Sequence, residues 1–342
     1  MRNIVEIQQK LLPDLLSVMQ KRYEILRYIR LMQPIGRRSL STNLGLSERV
    51  LRSEVDFLKK QDLLNISTSG MTLTQEGTIL MRQLEEFMKE VSGLKVLEEG
   101  IKNQLQLRQV VIVPGNSDTS PWVKNEMGRA CVASMNRYLK EENIIAVTGG
   151  TTISAVAEMM APESKNRNLL FVPARGGLGE NVQNQANTIC AAMAEKTKGQ
   201  YRLLHTPDEL SNDAYQSMIA EPSIKEVLAL IKNSSMVVHS IGDAKMMAMR
   251  RKTAPENMKK IEQCKAVAEA FGYYFNSDGE VVHRVQTVGM QLADLEKIET
   301  VIAVAGGASK ANAIRAYLKQ APHTILITDE GAAKELIRET LP

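Results

Sequence analysis

From residue 110 onward, short apolar runs alternate with stretches that have the spacing of amphipathic helices, and this alternation limits the possible folds more than any other feature. Apolar runs of four or five residues bounded by turn-forming residues are typical of buried strands. Strands joined by helices run parallel, and a parallel sheet is covered by helices on both faces. The sequence therefore predicts an α/β fold with a mostly parallel sheet. The predicted strands are residues 110–113, 144–147, 169–172, 201–204, 236–239, 301–305 and 324–328.

The second predicted strand is followed by Thr-Gly-Gly-Thr-Thr at residues 148–152, which we call the first glycine loop. The two glycines allow a sharp turn and a close approach of the backbone to an anion. The two threonines offer hydroxyl groups beside the free N–H groups of a helix predicted over residues 154–160. The alternative is an ordinary strand-to-helix turn in which a threonine caps the helix. We predict a phosphate cradle formed by Gly149, Gly150, Thr151 and Thr152.

Two further glycine-rich stretches follow predicted strands. Residues 306–310, Gly-Gly-Ala-Ser-Lys, repeat the plan of the first loop with a lysine added, and we call them the second glycine loop. Residues 174–179 read Ala-Arg-Gly-Gly-Leu-Gly and form the third glycine loop. Because ligands of open α/β sheets bind outside the carboxyl ends of the strands, we expect the three loops to converge on one anion pocket.

Polar and cationic side chains in and near these loops are candidate ligand contacts. We expect Gln185 and Glu269 to bind sugar hydroxyls, and the alternative is that both are polar residues on helix surfaces. The chain contains neither Gly-x-Gly-x-x-Gly nor Gly-x-x-x-x-Gly-Lys-Ser/Thr, so a dinucleotide or a nucleoside triphosphate has little support. The candidates for phosphate groups are Arg175 with its neighbour Gly177, Arg250, Arg251 and Lys310.

Basic residues are concentrated near the beginning of the chain. Residues 20–60 contain ten Lys or Arg against four Asp or Glu, a net charge of +6, whereas the whole chain has a net charge of +4. A concentrated basic region attracts the phosphate backbone of nucleic acids. If the protein binds nucleic acid, the N-terminal part does so.

The same region has the pattern of a helix-turn-helix. Two short helical segments, residues 37–44 and 47–60, are joined by Gly45-Leu46, where a left-handed residue is needed. Ser47 is placed to cap the second helix. After that helix, a small hairpin around residues 63–74 precedes another helix, with Thr74 as its cap. This order of elements predicts a winged helix.

On the winged-helix interpretation, the arginines of the two short helices contact DNA. We predict Arg37 and Arg38 near phosphates, and Arg49 and Arg52, beside Ser47, at base edges in the major groove. The guanidinium fork can bond O6 and N7 of guanine together. The alternative is an ordinary helical domain whose arginines form a solvated face.

Length and composition limit the remaining possibilities. A chain of 342 residues suggests two or three domains, and we place two, at 1–92 and 93–342, with a helical linker at about 94–107. The three cysteines and four histidines show no metal-ligand spacing, so we expect no metal and no disulfide framework, with all three cysteines in the core. We find neither a signal peptide nor an apolar run long enough to cross a bilayer, which favours a cytoplasmic protein without membrane contact.

In combination, these motifs resemble the SorC family of bacterial sugar-responsive regulators. The resemblance rests on the winged helix, the helical linker, Val-Thr-Gly-Gly-Thr-Thr, Arg175-Gly-Gly, Asn184-Gln-Ala-Asn and Ala-Gly-Gly-Ala-Ser-Lys. It implies a repressor that binds operator DNA as a dimer to tetramer, carries an effector domain similar to phosphosugar isomerases, needs no cofactor and controls genes of lower glycolysis. It also implies fructose 1,6-bisphosphate or a related sugar phosphate as effector. Many relatives carry Trp where this chain has Gly149, so a sorbitol-type specificity is not expected.

The competing class is a phosphosugar isomerase that carries a DNA-binding domain. Such an enzyme opens and isomerises its substrate with a carboxylate base and a histidine. The only candidates are Asp118, Glu269 and His239, and no Asp/Glu–His arrangement stands at a glycine loop. We therefore predict a regulator with no catalytic residues.

Overall fold

The computed structural model describes residues 11–162, 167–178 and 181–338. The chain divides into two compact units, Met1–Val96 and Leu97–Pro342. The domain boundary that we place after residue 92 stays a prediction.

The first unit has the order of elements of a winged helix. Gly45 adopts a left-handed φ of 64° between the two short helices, and the Ser47 side chain accepts a hydrogen bond from the Val50 N–H. Both features confirm the turn and the cap expected from the sequence. The elements are α1 (Pro13–Met32), α2 (Arg37–Leu44), α3 (Glu48–Lys60), β1 (Leu64–Ser67), β2 (Gly70–Leu73) and α4 (Gln75–Val91).

Helix α3 packs one face inward and leaves the other exposed. Leu51, Val55 and Leu58, spaced three and four residues apart, are buried because that spacing places them on one side of a helix. Strands β1 and β2 pair antiparallel and form the hairpin of the wing. Because Leu51, Val55 and Leu58 bury one side of α3, the opposite side is exposed and can contact a partner.

The second unit contains a seven-stranded sheet in which every pairing is parallel. The spatial order is β3-β13-β12-β7-β4-β5-β6. Strands β7 and β13 are buried along their whole length, as expected for a parallel sheet covered on both faces. This confirms the predicted α/β fold. The strands are β3 (Gln109–Val113), β4 (Glu142–Val147), β5 (Asn168–Pro173), β6 (Gln200–Tyr201), β7 (Met236–His239), β12 (Thr300–Val304) and β13 (Ile325–Asp329).

Helices lie between these strands in the chain. One core cluster joins Met127, Val156 and Met193 of three helices to Ile145 and Val304 of the sheet. The helices from residue 94 onward are α5 (Leu94–Gln104), α6 (Val123–Tyr138), α7 (Thr151–Glu158), α8 (Ala186–Thr197), α9 (Asn212–Ala220), α10 (Pro222–Lys232), α11 (Ala244–Arg250), α12 (Pro255–Gln263), α13 (Leu292–Leu295), α14 (Ala311–Leu318) and α15 (Glu330–Arg338).

A second, antiparallel sheet was not predicted from the sequence. Its order is β11-β10-β9-β8, with β8 (Gly242–Asp243), β9 (Ala268–Ala270), β10 (Tyr273–Phe275) and β11 (Val281–Arg284). These strands have two to four residues, which is too short for a period-two pattern to stand out. The sheet places Glu269 on a buried strand, so the alternative that Glu269 is an exposed helix residue is wrong.

Several boundaries differ from the sequence prediction. Helix α7 begins at Thr151 rather than at residue 154, because Gly150, with φ 119°, ends the turn immediately before it. The predicted linker helix ends at Gln104, and β6 is a two-residue edge strand. Cys264 is exposed, so the expectation that all three cysteines lie in the core is wrong for this one.

Candidate DNA-binding face and anion pocket

The arginines predicted to contact DNA share one shallow concave surface of the first unit. Arg37 and Arg38 begin α2, Arg49 and Arg52 lie in the first half of α3, and all four are exposed. Glu48 approaches Arg38, with 3.9 Å between Oε1 and Nε, but both side chains are largely exposed and such a pair contributes little to stability. The structure therefore brings these four cations together where a phosphate backbone could reach them.

Three other basic residues of this region have a different role. On α1, Lys21 and Arg22 both pair with Glu54, and Arg30 pairs with Glu85. These pairs lie within the first unit and hold α1 in place. Only part of the local charge of +6 is thus presented on the surface that Arg37, Arg38, Arg49 and Arg52 share, which we call the arginine surface.

The second unit contains a pocket at the carboxyl ends of β4, β5 and β7. Strand β4 lies between β5, which follows it in the chain, and β7, to which the chain returns later. Such a reversal of strand order opens a crevice in α/β sheets. The crevice is open to solvent at its mouth, and residues of the first and third glycine loops line it.

The first glycine loop forms one side of this pocket and is shaped by close backbone contacts. The Gly150 N–H donates to the Asn184 carbonyl at 2.8 Å, and a Cβ at Gly149 would lie 2.6 Å from that same oxygen. Because of this close contact, a glycine is required at position 149. The Thr148 hydroxyl accepts a hydrogen bond from the Ser240 N–H at 3.2 Å. The N–H groups at the beginning of α7 follow directly and point out of its N-terminus, where an anion is stabilised.

Two residues of the opposite wall, Arg175 and Glu269, belong to a ring of four charged side chains. We call it the charge ring, and its other members are Asp208 and Arg251. Arg175 contacts Asp208 at 2.5 Å and Glu269 at 3.0 Å. Arg251 contacts Asp208 and Glu269 at 2.8 Å each, and also donates to the Tyr274 hydroxyl at 2.8 Å. The ring joins the third glycine loop, the loop after β6, the end of α11 and β9.

The charge ring changes the roles expected of its members. Arg251 was predicted to lie near phosphate, but its side chain is only 1% exposed and is paired to two carboxylates, so that expectation is wrong. Arg175 and Glu269 do line the pocket, although each is already ion-paired. Burial by itself would raise the pKa of Glu269, but the charges of Arg251 and Arg175 and the Gly272 N–H lower it to about 2. Glu269 is consequently an anion at neutral pH.

The second glycine loop is not an open cradle. The Gly307 N–H donates to the Asp329 carboxylate at 2.8 Å, and the Ser309 N–H and hydroxyl donate to Asp118 at 2.9 and 3.0 Å. Carboxylates of the protein therefore already accept hydrogen bonds from the N–H groups that a phosphate would use. The expectation that this loop binds an anion in the manner of the first is wrong. The sequence does not predict these contacts, because Asp118 and Asp329 are distant from the loop in the chain.

Lys310 nonetheless lies near the pocket. Burial lowers its pKa, the nearby charges of Lys124 and Arg250 lower it further, and Asp118 and Asp243 act in the opposite direction. Since Arg250 lines the pocket, Lys310 adds positive potential on the same side.

His239, at the end of β7, is a buried neighbour of the pocket. Its Nε2 lies 3.2 Å from the Tyr317 hydroxyl, and its ring packs 4.8 Å from the Phe271 ring, centroid to centroid. Burial lowers the pKa of His239 to about 4. Glu269 and His239 therefore have the charge states of a fixed carboxylate and a neutral imidazole, not of a base poised near neutral pH.

Not every predicted ligand residue lines the pocket. Thr151 and Thr152 begin the adjacent helix, Gly177 packs against the Gln185 side chain, and Gly179 of the third loop is outside the described residues. Within the described residues, no cluster of His, Cys, Asp or Glu could hold a metal ion. Over the same ranges, no helix combines the length and apolar character needed to span a membrane. The predicted residues that do line the pocket are Gly149, Gly150, Arg175, Gln185, Arg250 and Glu269.

A winged helix joined to an α/β unit with a pocket at the carboxyl ends of its strands is typical of ligand-responsive transcriptional regulators. Two family models match the chain: the CggR N-terminal DNA binding domain over residues 18–88, and the sugar-binding domain (Sugar-bind) over residues 89–338. A Central glycolytic genes regulator from Priestia megaterium is 65% identical over 340 residues, covering 99% of each chain. The chain belongs to the SorC family of transcriptional regulators and, within it, to the central glycolytic genes regulators.

Solved structures agree with this assignment. One from Enterococcus faecalis, assigned to the SorC family of transcriptional regulators, is 48% identical, with a TM-score of 0.67, and the match covers 70% of this chain and 99% of that one. The full-length sorbitol operon regulator SorC from Klebsiella pneumoniae is 16% identical, has a TM-score of 0.69 and matches 94% of this chain and 97% of its own. The second likeness shows that the fold extends through both units.

Proposed function

We propose that this protein represses glycolytic genes by binding operator DNA through its winged helix, and that a phosphorylated sugar, fructose 1,6-bisphosphate, relieves the repression in the cytoplasm. The observation that carries the proposal is the open first glycine loop, with cationic neighbours, in a chain that also presents four clustered arginines. A relative of 65% identity is named for the regulation of central glycolytic genes.

The pocket offers different surroundings to the two phosphate groups of such a ligand. One phosphate rests at the beginning of α7 on Thr151, Thr152 and the backbone of Gly149 and Gly150, where N–H groups and the helix dipole favour an anion. Arg250 and Lys310 add positive charge. Arg175, at the opposite wall, and Gly177, beside Gln185, contact the second phosphate, while Gln185 and Glu269 bind sugar hydroxyls.

DNA binding rests on the arginine surface of the first unit. Arg37 and Arg38 neutralise phosphates, while Arg49 and Arg52, with Ser47 at the beginning of α3, face base edges. Operators are usually read by paired half-sites, so we also propose that the protein works as a homo-oligomer of two to four chains.

Salt dependence and two arginine variants test the DNA-binding part. Operator affinity should fall steeply with salt, by about 0.9 logarithmic units per phosphate contact for each tenfold rise. Arg38→Ala should weaken all DNA sequences alike, whereas Arg52→Ala should relax the preference at one base pair and cost about 1–3 kcal/mol. Binding that ignores salt, or an intact sequence preference in Arg52→Ala, would contradict these roles.

Ligand release of DNA tests the regulatory part. A ligand shifts an equilibrium only through its different affinities for the two states, so fructose 1,6-bisphosphate must bind the DNA-incompetent form more tightly, by about 1–3 kcal/mol. Operator DNA should weaken ligand binding by the same factor. Titrations with and without operator measure both quantities.

Two lysine variants distinguish the loss of a pocket charge from the loss of any positive charge. Lys310→Ala should bind operator normally but require about tenfold more fructose 1,6-bisphosphate for release, because a charge-assisted contact is lost. Lys225→Ala removes an equal charge from the exposed face of α10 and should behave as wild type. Equal responses of the two variants would place Lys310 outside the ligand site.

A further inference from the structure

Helices α6 and α7 approach each other unusually closely beside the first glycine loop. A Cβ at Gly128 of α6 would lie 2.5 Å from the Ala155 carbonyl oxygen of α7, so only glycine permits this contact. Four residues before Gly128 is Lys124, and four residues before Ala155 is Thr151. Residues four apart share a helix face, and the close contact therefore directs Lys124 towards the beginning of α7.

The position of the lysine agrees with this geometry. Lys124 Nζ lies 3.5 Å from the Thr151 hydroxyl, at the outer limit of a hydrogen bond. No carboxylate among the described residues lies within ion-pair distance of Lys124 or of Lys310, whereas each arginine of the charge ring contacts two carboxylates. Lys124 thus places an ammonium group without such a partner at the N-terminus of α7, close enough to Lys310 for the two charges to interact.

These cations act on one another. The positive charge of Lys124 is the largest single charge effect on Lys310 and lowers its pKa, in the same direction as burial. Arg250 acts in that direction too, whereas Asp118 and Asp243 offset part of the repulsion. Such mutual repulsion is a cost that an anion bound between the cations would remove.

We propose that Lys124 is a ligand-binding residue whose ammonium group contacts the phosphate held at the beginning of α7. This inference rests on the function proposed above and adds a residue that the sequence gave no reason to select. Lys124, Lys310 and Arg250 would then surround one phosphate, which selects ligands that present a doubly charged phosphate at this end. A neutral sugar gains nothing from the three charges.

The test compares Lys124→Met, which keeps the length of the stem without its charge, with Lys124→Arg and with the control Lys225→Met. Calorimetric titration of the full chain with fructose 1,6-bisphosphate should show about tenfold weaker binding for Lys124→Met, since one charge-assisted contact is lost. Lys124→Arg should bind within about threefold of wild type, and Lys225→Met should equal it.

Thermal unfolding without ligand separates ligand binding from a structural role. Lys124→Met should melt at the wild-type temperature or above it, because a repelling charge is gone. Wild-type affinity in Lys124→Met, or an affinity loss that comes with a lower melting temperature and persists in Lys124→Arg, would overturn the proposal. If the wild-type protein binds no sugar phosphate, the proposed function itself fails, and the role of Lys124 fails with it.

Discussion

The first and second glycine loops have nearly the same sequence plan, but they differ in whether carboxylates of the protein already accept their N–H groups. In both, two glycines and two small residues follow a buried strand of the same sheet and lead into a helix. In the first loop the N–H groups at the beginning of α7 lie beside Lys124, whereas in the second Asp329 and Asp118 accept the N–H groups of Gly307 and Ser309. The difference teaches that a cradle binds a ligand only if the protein has not already filled it with its own carboxylate.

The comparison predicts that residues of the second loop matter for stability and residues of the first for ligand binding. The largest effect is expected for Asp329→Asn. The buried Asp329 carboxylate accepts hydrogen bonds from the N–H groups of Ser117, Gly307 and Ala332, and an amide cannot satisfy all three. The free energy of unfolding in urea should fall by about 3–4 kcal/mol. Asp278→Asn, at an exposed turn, is the control, and an equal effect of both changes would contradict the role of Asp329.

The buried His239, which precedes the pocket residue Ser240, should make the stability of the folded protein fall at acid pH. The pKa of His239 is about 4 in the folded protein against an ordinary value of 6.5, so between these values the unfolded chain binds more protons. Stability is therefore fully present above pH 6.5 and declines as the pH falls towards 4. Between pH 7.5 and pH 5 the loss should be about 2 kcal/mol.

Urea unfolding of two histidine variants at both pH values checks this. His239→Gln should have a lower stability at pH 7.5 but a flatter pH dependence than wild type. His205→Gln, at an exposed position, should keep the wild-type slope. The assignment is wrong if the slope survives in His239→Gln.

A matched pair of hydroxyl deletions tests the two loops directly. Thr152→Val should reduce the affinity for fructose 1,6-bisphosphate about tenfold and change the unfolding free energy by less than about 1 kcal/mol. Ser309→Ala should leave the affinity unchanged, because its hydroxyl donates to Asp118 rather than to a ligand. Calorimetric titration measures both, and a larger affinity loss in Ser309→Ala would reverse the roles of the loops.

The smallest expected effect is that of Asp118→Asn. This change removes the negative charge with the largest effect on Lys310 and leaves the positive potential of Lys310 less compensated. Ligand affinity should rise about threefold at low salt, and the gain should shrink at high salt because of screening. A fall in affinity at low salt would mean that Asp118 supports the pocket mainly by holding the second loop in shape.

The sequence allowed most local features to be predicted. The helix-turn-helix, its Gly45 turn and its Ser47 cap follow from rules that act over a few residues. The parallel sheet follows from apolar runs that need no partner to be identified. Arg251 shows the limit of such reasoning, since a cation next to Arg250 in the chain lies in the charge ring rather than at the ligand site.

By itself, the sequence determined the α/β class, the winged helix and the places where glycine lets the backbone turn, because these depend on local periodicity and local backbone freedom. Only the tertiary structure decided which cradle stays open. Asp118 lies 191 residues from Ser309 in the chain and meets it only where β3 and β12 end at the same edge of the sheet. Lys124 reaches Thr151 only because two helices touch at Gly128. Charges act through space, so the state of an anion site depends on side chains that no local pattern brings together.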